Sequence, residues 1–72
     1  DYDVALKYVE EGTNDLLMQK SFHVNNQDYT YVLPKTMKIN DIYYGLAENQ
    51  ENIIHHAVSS DVREYTVYYK NG

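Results

Sequence analysis

The sequence predicts a small β-rich domain with a mixed sheet, little helix, and its first and last strands side by side at the sheet centre. Both terminal segments, Val4–Val9 and Glu64–Lys70, alternate in polarity and are rich in β-branched and aromatic residues. Such segments favour half-buried strands over helices. Because alternate residues share one face of a strand, the predicted core comprises Val4, Leu6, Tyr8, Tyr65, Val67 and Tyr69.

Composition limits the chain to one thin domain. Its 72 residues include nine tyrosines, one phenylalanine, no tryptophan and no cysteine, so stability must come from the sheet and its aromatic packing. The net charge of −5 argues against binding to nucleic acid, and no run of about 18 apolar residues is present to span a membrane. The chain lacks an initiator methionine, so we expect residues 1–72 to be a single module of a larger protein.

A hairpin is predicted at the amino-terminal end. Gly12–Asp15 tolerates the positive φ angles of a tight loop and separates the first strand from Leu16–Val24. After a turn at Asn25–Asp28, the pattern leaves Tyr29–Leu33 as either a short strand or a single helical turn capped by Asp28. Pro34 would keep any such helix brief.

The sequence of the second half of the chain predicts two further strands or extended segments, a loop between them and a turn into the last strand. Met37–Asn40 and Ile42–Leu46 are interpreted as one strand with an irregular middle. Glu48–Asn52 is a polar loop, and Ile53–Ser59 is a fourth strand or an extended segment. Ser59–Asp61 then forms the turn into the last strand.

Five short motifs follow one another along the chain: Lys7–Gly12, Tyr29-Thr30, Pro34-Lys35, Ile42–Tyr44 and Tyr68–Lys70. Together they resemble the mucin-binding (MucBP) repeat of Gram-positive cell-surface adhesins. In that family a strand ending Lys-Tyr-Val and an acidic Gly turn precede a Tyr-Thr stretch, a Pro-Lys, a Tyr-bearing strand and a final strand ending Tyr-Lys. Gln27-Asp28 and Asp41-Ile42 replace two glycines of the pattern, which indicates a divergent member or another β-grasp adhesin repeat.

The resemblance implies a fold, a location and a function. It implies a ubiquitin-like β-grasp domain in an extracellular, wall-anchored protein, next to further repeats of the same chain. The implied role is attachment to mucin or other host glycoproteins through their glycans. Two other classes of function stay open: a passive stalk module without a ligand, and an intracellular ubiquitin-like interaction module. The resemblance assigns no ligand-binding residues.

No constellation predicts catalysis, a cofactor or a metal site. The serines lack a Gly-flanked nucleophile elbow, so we expect no enzyme. His55 and His56 would point to opposite faces of a strand and could not chelate one metal together. Leu33–Met37 differs by one residue from a sortase sorting signal but has no apolar tail, and is interpreted as a connection rigidified by Pro34.

Two further kinds of site are considered: a calcium site at the first turn and a sugar site formed by exposed tyrosines. The first turn carries oxygen groups of the type that calcium prefers, but not the spacing of a dedicated loop, so a solvated turn is expected at Glu10, Glu11, Asn14 and Asp15. The tyrosines are too numerous for one small core, so some should be exposed. They would either cover the open face of the sheet or stack on sugars beside the amides of Asn25–Gln27 and Asn49-Gln50.

Overall fold

The computed structural model describes all 72 residues and contains seven β-strands and no α-helix. The predicted β-rich class is therefore confirmed. No helix is long and apolar enough to cross a bilayer. The strands are Tyr2–Glu10 (β1), Leu16–Val24 (β2), Tyr29–Val32 (β3), Thr36–Ile39 (β4), Ile42–Leu46 (β5), Ile53–His56 (β6) and Glu64–Asn71 (β7).

Five strands form one mixed sheet in the order β2-β1-β7-β5-β4. The first and last strands are neighbours near its centre and run parallel, with Leu6 opposite Tyr65 and Tyr8 opposite Val67. The β1–β2, β5–β7 and β4–β5 pairs are antiparallel. The predicted central position of β1 and β7 is confirmed, as is the amino-terminal hairpin, whose loop contains Gly12 and Asn14 at positive φ.

A second, two-stranded antiparallel sheet of β3 and β6 covers one face of the large sheet. It resolves the open alternative at Tyr29–Leu33 in favour of a strand, β3, which ends at Val32. The two sheets meet through aromatic rings: the Phe22 ring of β2 stacks on Tyr29 at 4.7 Å and on Tyr31 at 5.7 Å between ring centroids. Because stacked rings bury a large apolar area, this contact fixes the small sheet on the large one.

The core between the sheets contains the residues that the sequence predicted on the two terminal strands. Val4, Leu6 and Tyr8 of β1 and Val67 and Tyr69 of β7 are buried. The sixth predicted core residue, Tyr65, is half-buried and packs against this cluster. The other members of the buried cluster come from outside the terminal strands: Phe22, Val24, Leu33, Tyr44 and Ile54.

The prediction of one irregular strand over Met37–Leu46 is wrong. Asn40 and Asp41 both adopt left-handed conformations, with φ of 50° and 66°, and Ile39 pairs with Ile42 across them. Two consecutive positive φ angles are what a two-residue type I′ hairpin turn requires. Asn and Asp reach this region more easily than other residues with a side chain, so β4 and β5 form a hairpin instead of a single strand.

The other face of the large sheet has no covering layer. Tyr43 of β5 and Tyr68 of β7 lie on it, with 63% and 38% of their surface exposed. The expectation that some tyrosines are exposed is confirmed for these two, while Tyr8, Tyr44 and Tyr69 are buried. Tyrosine suits this position because its ring covers the sheet while its hydroxyl stays in water.

Candidate functional site

Two neighbouring depressions border strand β6, and both are lined by His55. The larger, of about 660 Å³, lies between Lys35, the loop Ala47–Asn52, and Ile53 and His55 of β6. The smaller, of about 330 Å³, lies beside the β2–β3 turn and is lined by Asp28, Tyr29, Thr30, His55, His56 and Ala57. Small-ligand sites in proteins have volumes of about 300–1,000 Å³, so the larger depression has the size of a binding site.

His55 reaches these depressions because side chains alternate along β6. His55 is exposed and pairs with Thr30 of β3, whereas His56 is buried against the large sheet. The prediction that the two imidazoles lie on opposite faces is confirmed. His55 thus contributes to the surface and His56 to the core.

Both ring nitrogens of His56 are occupied by tyrosine hydroxyl groups. The Tyr2 hydroxyl donates to the carbonyl oxygen of Val58 at 3.1 Å, so it accepts a hydrogen bond from the His56 Nε2–H group at 2.8 Å. His56 Nδ1 then accepts a hydrogen bond from the Tyr65 hydroxyl, also at 2.8 Å. This network assigns the imidazole proton to Nε2. His56 is therefore a structural residue that ties β6 to β1 and β7.

The loop that walls the larger depression is held by backbone hydrogen bonds. Ala47 N donates to Tyr68 O at 3.0 Å, and Leu33 N donates to Asn52 O at 2.7 Å. The Gln50 amide is also engaged: its Oε1 accepts from Tyr68 N at 3.1 Å, and its Nε2 donates to Glu51 O at 3.2 Å. These bonds fix the loop in place before any ligand arrives, which lowers the entropic cost of binding.

The lining of the larger depression combines polar groups with a small apolar area. Lys35 can donate hydrogen bonds, the side chains of Glu48 and Glu51 can accept them, and Asn49 can do both. Ile53 supplies apolar surface at the side formed by β6. This arrangement can bind a polar ligand that carries several hydroxyl or amide groups and one apolar face.

The structure brings together only part of the predicted ligand-binding set. Asn49 and Gln50 line the larger depression, although the Gln50 amide already holds the loop. The second amide-rich segment, Asn25–Gln27, lines neither depression, and the exposed rings of Tyr43 and Tyr68 lie on the open face of the large sheet. Tyr29 is the only tyrosine that borders either depression.

Sequence reasoning identified only Asn49 and Gln50 at the larger depression, and among the residues it missed are Lys35 and Ile53. Lys35 follows β3 and Ile53 begins β6, and these strands pair through Val32 and Ile53. The sequence left the conformation of β3 open, so it gave no signal that these residues meet.

The acidic turn and His23, which the sequence also offered as possible metal ligands, line neither depression. The acidic turn is closed by its own backbone, since Asn14 N donates to Glu10 O and Glu10 N donates to Asp15 O, each at 2.9 Å. His23 Nδ1 lies 2.7 Å from Asp3 Oδ1 on the neighbouring strand. No cluster of three or more His, Asp or Glu side chains is arranged to hold a metal ion.

Comparison of the chain with protein-family models, curated proteins and solved structures finds no match. The class of protein is therefore defined by the fold and the surface alone. It is an all-β domain of two packed sheets, with parallel terminal strands and a fixed polar depression beside β6.

Two buried phenols make the fold sensitive to alkaline pH. Burial, reinforced by the Tyr31 hydroxyl, raises the pKa of Tyr8, and burial, again with a contribution from Tyr31, raises the pKa of Tyr69 to about 12. An unfolded tyrosine loses its proton near pH 10. The stability that these two protonated phenols contribute is therefore fully present below about pH 10. It is lost as the pH rises from about 10 toward the raised pKa values of the folded state. We expect the free energy of unfolding to fall by up to about 1.4 kcal/mol per pH unit for each of the two tyrosines.

Denaturant unfolding at a series of pH values above about pH 8 measures this slope. Tyr69→Phe is the control, because it keeps the ring and removes one of the two phenol hydroxyl groups. The lost hydroxyl donates to Pro34 O at 2.6 Å. The variant should be less stable at neutral pH but show a shallower alkaline slope. Equal slopes for both proteins would contradict the assignment to Tyr69.

Proposed function

We propose that the domain is a repeat of an extracellular bacterial surface adhesin of the MucBP type, and that it contributes to attachment to mucin or other host glycoproteins. The larger depression beside β6 is the glycan site in this proposal. The observation that carries it is the fixed loop Ala47–Asn52, whose amide and carboxylate side chains lie with the Lys35 ammonium group around an apolar patch. Sugars present hydroxyl groups at their edges and apolar C–H groups on their faces, so they match such a lining.

The placement of the family-like motifs supports the same proposal. Lys7-Tyr8-Val9 lies on β1 and Tyr68-Tyr69-Lys70 on β7, and Val9 is directly opposite Tyr68. The two motifs that end the first and last strands are thus side by side in register. A mixed five-stranded sheet with central terminal strands also supports a β-grasp fold in this proposal.

A shallow site of this kind binds weakly. We expect a dissociation constant on the order of 0.1–1 mM for a single glycan, with useful affinity arising from tandem copies. The net charge of −5 and the glutamates Glu48 and Glu51 at the depression should repel sialylated glycans. Such repulsion is least screened at low salt, so binding of sialylated glycans should strengthen as salt is added.

A spacer role is the second candidate, and the shape of the molecule favours it. The domain measures 38 × 19 × 18 Å, and β1 starts at one end of the parallel pair while β7 finishes at the other. A chain that enters at one end of this pair and leaves at the other extends its protein by at least the length of the pair. In this role the depression would have no ligand.

A nuclear magnetic resonance titration of the single domain with a panel of neutral and sialylated mucin glycans tests the adhesive proposal. We expect shift changes at Asn49, Ile53 and His55, and stronger surface binding by a tandem protein than by the single domain. Asn49→Ala should weaken binding. The matched control is Asn25→Ala, which makes the same change in a turn outside both depressions and should leave binding unaltered.

Two outcomes would count against the proposal. Absence of binding to the whole panel by both the single and tandem proteins would favour the spacer role. Equal effects of Asn49→Ala and Asn25→Ala would place any glycan site elsewhere on the surface.

A further inference from the structure

We infer that the parallel β1–β7 pair is a mechanical clamp that resists tension applied between the two ends of the domain. The inference rests on the proposed function in one respect: tension reaches the domain only where it is one link of a longer surface protein. Both the adhesive and the spacer roles place it in that position.

The direction of the two strands determines how they are loaded. Ala5 is opposite Glu64 and Glu10 is opposite Tyr69, so the strands run side by side over six residue pairs. The chain enters at the start of β1 and leaves at the end of β7, at opposite ends of this ladder. Tension applied between the two chain ends therefore pulls β1 and β7 past each other in opposite directions.

Such sliding loads many hydrogen bonds at once. Bonds in a parallel pair are evenly spaced along the strands, so they share a force that acts along the strand axis. The ladder extends from the bond between Ala5 N and Arg63 O, at 2.9 Å, to the bond between Glu11 N and Tyr69 O, at 2.8 Å. No terminal bond can open first and expose the next, as it would if the strands were peeled apart.

Side chains protect and reinforce the same ladder. On its inner face Leu6, Tyr8, Val67 and Tyr69 are at most 1% exposed, so water cannot reach the backbone bonds from that side. The Tyr8 and Tyr69 rings also contact each other across the pair, with centroids 5.6 Å apart. On the outer face Lys7 Nζ lies 3.2 Å from Glu64 Oε1 and links the strands a second time.

The neighbouring strands prevent an easier route of rupture. β1 is paired along nearly its whole length with β2, and the end of β7 is paired with β5. Neither terminal strand can leave without breaking backbone bonds on both of its edges. The β1–β7 ladder is thus the part of the fold that must fail before the domain extends.

Single-molecule pulling in two geometries tests this inference on one folded domain. Handles at Asp1 and Gly72 load the ladder in shear. Because the chain has no cysteine, Asp61→Cys provides a unique attachment point in the exposed segment before β7, at the same end of the ladder as Asp1. Pulling between Asp1 and position 61 peels β1 from β7 one bond at a time. Asp61 is exposed, so we expect Asp61→Cys to leave the stability unchanged, which denaturant unfolding checks.

We expect unfolding at equal force to be slower in the end-to-end geometry by a factor on the order of 30 or more, which corresponds to two net hydrogen bonds failing together. Equal rates in the two geometries would overturn the clamp. The glycan titration is independent of this result. Binding without a clamp would refute this inference alone, and a clamp without binding would refute the adhesive role alone.

Discussion

Leu6→Ala should destabilise the domain by about 2–4 kcal/mol, a large part of the stability available to so small a chain. Leu6 is 0% exposed and lies in the middle of β1, between Lys20 of β2 and Tyr65 of β7. Truncation removes buried methyl groups and leaves a cavity that two flanking strands cannot close. The midpoint of denaturant unfolding, measured with the slope m, gives the change in free energy.

Leu16→Ala is the matched control, because it makes the same substitution at the start of β2, where the side chain is 56% exposed. We expect it to change stability by less than about 0.5 kcal/mol. An unchanged midpoint for Leu6→Ala, or equal losses for the two leucines, would contradict the assignment of β1 to the centre of the core.

His56→Ala should destabilise the fold to a similar extent, by about 2–4 kcal/mol. The imidazole is 1% exposed and holds the hydroxyl groups of Tyr2 and Tyr65, and its loss leaves both without this partner. It also removes edge-on ring contacts with Phe22, Tyr2 and Tyr65. Thermal and denaturant unfolding measure the loss.

The adjacent residue supplies the control. His55→Ala makes the same change one position earlier on β6, at an exposed side chain with its ring toward the depressions. Its stability should stay close to that of the parent domain, and any effect should fall on ligand binding. A larger loss of stability for His55→Ala than for His56→Ala would refute the division of the two histidines between surface and core.

The sequence predicted the parts of the fold that depend on alternation within one strand. The buried faces of β1 and β7 follow from their own period of two, and so does the split between His55 and His56. Elements that depend on a partner were harder to predict. Tyr29–Val32 has too few residues to show a period, and it is a strand because β6 pairs with it and Phe22 stacks on its rings.

The β4–β5 hairpin shows a different limit. Asn40-Asp41 carries a turn signal, but the apolar residues on both sides extended the apparent strand through it. The backbone resolves the conflict because both residues adopt positive φ. The larger depression could be predicted only at Asn49 and Gln50, since Lys35 and Ile53 reach it through β3–β6 pairing.

The charge of Lys20 protects the outer edge of β2 against pairing with a strand of another molecule. β2 is an outer strand of nine residues, long enough to accept a strand from another molecule. Lys20 is opposite Leu6 and so lies on the core side of the sheet, where it remains exposed. A strand that paired with β2 would bury part of this ammonium group, which is costly for an unpaired charge.

The parallel central pair also sets the order of folding. Nearly the whole chain lies between Leu6 and its neighbour Tyr65, so the loop-closure entropy of that contact is among the largest that the chain can incur. The β1–β2 and β4–β5 hairpins can form locally and early, but β1 keeps one unpaired edge until Glu64–Asn71 arrives. During synthesis from the amino end, the core of this domain therefore stays open to water until its final strand has emerged.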